Sequence, residues 1–158
     1  MLALSGLCFY AYAADSGVPV EWVRINAKGF SFLAPTAMKA EDVKGTDSHV
    51  GRYTSSQMRI EFDYGRYSSN LDGFKGRPDY QETITEIGGK KAKVAAFSKI
   101  KNVSTENLRQ DWVYLGGTGA YFGNVRKGSK LSVVVHCKND EDLDAAKKII
   151  YSIEFDDK

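Results

Sequence analysis

Arg59-Ile60-Glu61-Phe62-Asp63-Tyr64 alternates charged and apolar side chains with a period of two. Successive side chains of a strand point to opposite faces, so Ile60, Phe62 and Tyr64 are expected inward and Arg59, Glu61 and Asp63 outward. A strand wet on one face belongs to an antiparallel sheet, because parallel strands covered on both faces read as continuous apolar runs. This one segment already sets the fold class.

Further strands follow the same logic. Gly29-Phe30-Ser31-Phe32-Leu33-Ala34-Pro35 alternates aromatic and small residues and stops at a proline, which cannot donate to a ladder; Trp22 and Ile25 lie in a short lead before it. Arg52 to Ser56 is a second short strand. Glu82 to Ile87 and Ala92 to Phe97 flank Gly88-Gly89-Lys90-Lys91, where glycine supplies the positive φ of a tight hairpin. Asp111 to Leu115 and Ala120 to Arg126 flank Gly116-Gly117-Thr118-Gly119 in the same manner. Lys127-Gly128-Ser129 then turns the chain into Lys130 to Lys138, which closes a meander. In that strand Leu131, Val133, Val135 and Cys137 share one face and His136 the other, so Cys137 reads as a small buried hydrophobe.

Helix signals concentrate near the end. Asn139 or Asp140 can cap, Glu141, Asp142 and Asp144 suit a helix N-terminus, and Lys147 and Lys148 suit its C-terminus. Leu143, Ala146 and Ile150 share a helical face, and Ser152 to Phe155 resumes a strand. Lys99 to Gln110 fits a helical turn or a loop equally. The expected fold is α+β, a curved antiparallel sheet of about six to eight strands with the C-terminal helix packed on one face.

The chain has 158 residues, enough for one sizeable core, and one domain over 14–158 is expected. Met1 to Ala13 carries no charge and ends in Ala11-Tyr12-Ala13, the small-x-small pattern of a signal peptide cleaved after Ala13 or Ala14; the basic residues that usually precede such an apolar core are missing, and a buried first strand or helix of the fold is the alternative. Leu7 before Cys8 does not suit lipidation. A periplasmic or secreted product follows. Twenty-two basic against 20 acidic residues give a net charge of only +2, which argues against nucleic acid as a partner. No apolar run approaches the roughly 18 residues of a membrane span, so no stable membrane insertion is expected.

The Gly29-Phe30-Ser31-Phe32 strand running into Pro35, the Ile87-Gly88-Gly89-Lys90-Lys91-Ala92 hairpin and the closing Ile149-Ile150-Tyr151-Ser152-Ile153-Glu154-Phe155 together resemble exported bacterial domains of the PsbP-like superfamily, named after an extrinsic photosystem II subunit. The resemblance spans most of Trp22 to Phe155. It implies a curved antiparallel sheet with helices against it and a non-enzymatic binding or assembly role, and no metal ligand of the family is matched here.

Catalytic motifs are thin. Gly116-Gly117-Thr118-Gly119-Ala120-Tyr121-Phe122-Gly123 lacks both the third glycine of a dinucleotide loop, Phe122 standing in its place, and a following helix for the pyrophosphate. Glu61 and Asp63 lie on one side of a strand about two rises of 3.3 Å apart, within the range of about 5 to 9 Å of glycosidase carboxylates. Arg59 beside them would keep both ionised, so a solvated sheet face is the simpler reading. His136 and Cys137 point to opposite faces and cannot share one ion. His49, between Gly45 and Gly51, reads as a surface turn, and no serine elbow occurs. No catalytic residue, metal site or cofactor is assigned.

Asp63 to Tyr80 is too long and too glycine-rich for a hairpin turn, and loops of this length without internal structure are usually functional or disordered. Tyr64, Tyr67, Phe74 and Tyr80 interleave there with Arg66, Lys75 and Arg77, the residue mix of protein interfaces. These seven are the candidate binding residues. The reading they support is an exported non-catalytic domain that recognises another protein through this loop. An immunity or inhibitor protein, a carboxylate-based hydrolase using Glu61 and Asp63, and a loop that merely folds back over the sheet are the alternatives.

Overall fold

The computed structural model describes residues 21–98 and 116–156. The expected signal peptide, the strand Asp111 to Leu115 and the segment Lys99 to Gln110 lie outside them.

Ten strands and one α-helix are described. β1 (Trp22–Ala27), β2 (Phe30–Pro35) and β10 (Glu154–Phe155) form a small antiparallel sheet in the order β1-β2-β10. β3 (Lys39–Glu41), β4 (His49–Thr54), β5 (Met58–Gly65), β6 (Gln81–Ile87), β7 (Lys90–Phe97), β8 (Gly116–Arg126) and β9 (Ser129–Cys137) form a seven-stranded sheet in the order β3-β4-β5-β9-β8-β7-β6, antiparallel throughout. α1 (Leu143–Tyr151) lies against β8, β9 and β2. The sheet with one C-terminal helix is the architecture that the half-wet strands imply. Among the described residues no helix is long and apolar enough to cross a membrane.

One core joins the layers. Ile60 and Phe62 of β5, Leu131, Val133, Val135 and Cys137 of β9, and Ala146, Ile149 and Ile150 of α1 are buried together with Phe30 and Phe32. The Phe30 ring meets Phe62 edge-on at 5.1 Å and 89°. Such pairs add about 0.5–1.5 kcal/mol beyond area burial, so this contact locks the small sheet to the large one.

Several expectations need correction. Gly116-Gly117-Thr118-Gly119 is not a hairpin turn but the start of β8, paired with β7 on one side and β9 on the other. A Cβ at Gly117 would run into the Val135 carbonyl and the Phe97 ring, so glycine serves close packing within a strand, not a reversal. His49 opens β4 opposite Tyr64 instead of sitting in a turn. Asn139 precedes a 3₁₀ turn, Asp140–Asp142, and neither it nor Asp142 before α1 makes a capping side-chain bond. The sheet face of Glu61 and Asp63 is also not simply solvated. His136, on that face, is only 8% exposed.

Cys137 is 1% exposed, and its Sγ lies 3.6 Å from the Asp142 carbonyl oxygen. Burial first, then the nearby Asp142 charge, pushes the thiol up to about 12, far from the thiolate that reacts. In native protein, site-resolved mass spectrometry after treatment with a thiol reagent should find Cys137 unlabelled until denaturant is added. Labelling at the rate of an exposed thiol would reverse the assignment of faces in β9.

Candidate functional site

The outer face of the large sheet carries Arg59, Glu61 and Asp63 of β5, Val134 and His136 of β9, Gly117 and Gly119 of β8, and Ala95 and Phe97 of β7, aligned by register. The loop 66–80 folds over it. Ser68 is buried at the root, where its hydroxyl accepts the Gly65 N–H at 3.0 Å and donates to the Asp63 carbonyl at 2.8 Å. Leu71 is 1% exposed, against Gly119, and holds a φ of 67°. That region is unfavourable for a γ-branched side chain, and a residue held there is over-determined by its surroundings.

Beyond Leu71 a 3₁₀ turn, Asp72–Phe74, is fastened by charge. Lys75 and Lys93 each place Nζ 2.9 Å from Asp72 Oδ1, which holds the Asp72 carboxyl down at about 2, Lys75 first and Lys93 second. Phe74 then stacks on Phe97 at 4.3 Å with an interplanar angle of 3°, and the Arg77 guanidinium covers both rings at 5.8 and 5.5 Å. Tyr80 donates its hydroxyl to Glu82 at 2.8 Å, and burial, with that carboxylate, pushes its ionisation up to about 12. The Ser98 N–H donates to the Pro78 carbonyl and ties the loop's end to β7.

The seven candidate residues therefore divide. Phe74, Lys75, Arg77 and Tyr80 are engaged with the sheet or with their own loop, so Phe74 and Arg77 do not stand free. Tyr67 is 74% exposed. Tyr64 and Arg66 line an open cleft of about 1180 Å³ at the end of both sheets, where Lys28, Arg126, Asp47 and Asp156 also converge. The cleft's wall depends on close approach, since a Cβ at Gly65 would stand 2.6 Å from that of Ser48. Lys28, Arg126 and Asp156 were not singled out by sequence, though Lys28-Gly29 and Lys127-Gly128 mark turns that bring strand ends together.

Glu61 sits between His136 and Arg52, with His136 Nε2 at 3.6 Å and Arg52 Nε at 2.7 Å. His136 first and Arg52 second hold its carboxyl down at about 2 despite the opposing effect of burial. A general acid must keep its proton near the working pH, so Glu61 is not poised for that role. At the Asp63 end of β5 the loop root lies close by, and the Asp63 carbonyl oxygen accepts the Ser68 hydroxyl. Among the described residues no group of three or more His, Cys, Asp or Glu side chains is placed to hold a metal ion.

A carboxylate whose folded value is depressed stabilises the fold above its ordinary value and loses that contribution as pH falls through the folded one. For Glu61 the window runs from 4.5 down to about 2. Wild type should melt above Glu61→Gln at neutral pH, and the two thermal midpoints should converge as pH drops through this window. A gap that stays constant down to pH about 2 would contradict the pairing.

No protein-family model matches the chain, and no curated protein is found to be similar to it. Among solved structures, the chain is similar to the solution structure of cyanobacterial PsbP (CyanoP) from Synechocystis sp. PCC 6803, at 13% sequence identity, with 92% of this chain and 98% of that chain covered and a TM-score of 0.55. At that identity the likeness is one of fold, and the chain has a PsbP-like fold.

Proposed function

We propose that this protein is an exported, non-catalytic binding or assembly domain that recognises another protein through the exposed side of the loop 66–80 and the cleft beside it. In this reading residues 1–13 are a signal peptide, 14–158 form one α+β domain, and the product works in the periplasm or outside the cell. A PsbP-like fold suits such a role, and the signal pattern of Ala11-Tyr12-Ala13 suits the location.

The observation that carries the proposal is the contrast within the loop. Ser68, Leu71 and Phe74 fix its backbone to the sheet, whereas Tyr67 between the anchors and the cleft is 74% exposed. Ordering a loop on binding costs about 0.5–1.5 kcal/mol for each immobilised side chain, and a loop already fixed avoids much of that. An aromatic residue with an adjacent arginine, displayed on such a support, has the composition of a binding hot spot.

A photo-crosslinking residue at position 67, expressed in the producing organism, should give one discrete heavier adduct, whereas the same residue at position 91 should give none. Arg66→Ala/Tyr67→Ala should leave the thermal midpoint nearly unchanged, since exposed substitutions usually cost within about 0.5 kcal/mol each, and should lose the partner. An adduct of equal yield from position 91, or none from 67, would defeat the proposal.

A further inference from the structure

We infer that the cleft beside Tyr64 is a docking groove for an acidic extended segment of the protein partner, an inference that rests on the proposed binding role and specifies its chemistry. Lys28 reaches it from the β1–β2 turn, Arg66 from the end of β5 and Arg126 from the end of β8. All three are exposed, and among the described residues none forms an ion pair or side-chain hydrogen bond. Three unpartnered cations from three separate elements meet in one recess of a chain whose net charge is only +2. Carboxylates are the geometric match for guanidinium forks.

Arg126 is aimed by a local irregularity. The pairing of β8 with β9 slips between Phe122 and Arg126, and the turn that follows holds Lys127 at a φ of 47°. Bulges of this kind twist a strand end and redirect its side chains, and they concentrate beside functional sites.

Two features favour a peptide over a compact or continuous polyanion. The cleft, about 1180 Å³ and open, exceeds the roughly 300–1,000 Å³ of small-molecule pockets, so it has room for several residues of extended chain. Asp47 and Asp156 also line it, and among the described residues neither forms an ion pair with the three cations. They would repel a dense row of phosphates. An acidic segment with spaced carboxylates can instead place its charges at the cations and its backbone N–H groups at the two aspartates.

Fluorescence anisotropy with a labelled peptide of alternating glutamate and glycine tests this on the folded protein. Saturable, salt-sensitive binding is expected, weakened about tenfold or more by Arg66→Gln and again by Arg126→Gln, the scale of one charge-assisted contact. Lys91→Gln, a cation outside the cleft, should leave it unchanged. Equal losses from Lys91→Gln and Arg126→Gln, or no saturable binding, would overturn the groove. Tripolyphosphate binding more tightly than the peptide, through the same two arginines, would replace the acidic segment with a phosphate ligand. Failure here with a discrete adduct at position 67 would count against the groove alone. Peptide binding with no adduct would count against the proposed protein recognition alone.

Discussion

The pairing of β5 with β9 carries the rest of the molecule. It joins residues 58–65 to 130–137 in unbroken register, with Phe62 opposite Val133 and Glu61 opposite Val134. A slip of one residue would send every side chain of a strand to the other face. In the observed register one face is wholly apolar and takes up α1 and the Phe30–Phe62 contact, while the other sets Glu61 against His136. Each face then has its own covering, a helix and small sheet inside and the loop 66–80 outside.

That outer covering changes the meaning of the candidate residues. An aromatic, basic, glycine-containing loop could have stood free of the fold. Here its root is buried at Ser68 and Leu71, its middle is stacked through Phe74 on Phe97, and charge fastens Asp72 to Lys93. Aromatic residues in the loop consequently do two jobs. Phe74 holds, and Tyr67 is displayed, so the interface composition seen along the chain is partitioned by packing that only the sheet can provide.

β5 was legible because the unequal burial of its two faces writes itself into alternation, β2 because aromatic and small residues alternate up to Pro35, and β7 and β9 because glycine turns mark where they begin. β3 was not, since Lys39, Ala40 and Glu41 are all exposed and offer no pattern. Gly116 to Gly119 misled for a physical reason: glycine marks reversals and close backbone approach alike, and only the neighbouring Val135 carbonyl and Phe97 ring decide between them. Opposite faces for His136 and Cys137 followed from alternation alone. That His136 is nonetheless buried depends on Phe74, sixty-two residues away in sequence, which no local pattern encodes. The cleft was half legible, through Tyr64 and Arg66; Lys28 and Arg126 join it only once strand ends meet.

The loop 66–80 is a fixed part of the sheet's outer face, with Arg66 and Tyr67 displayed from it. Native-state hydrogen exchange read at single amides reports on that attachment. The Phe74 and Arg77 N–H groups, which donate to the Leu71 and Phe74 carbonyls, and the Gly65 N–H, which donates to Ser68, should exchange far more slowly than unstructured chain. They should also accelerate together in Phe74→Ala while β9 stays protected. Exchange of these amides at unstructured rates in the wild-type protein would mean that the loop is not fixed to the sheet.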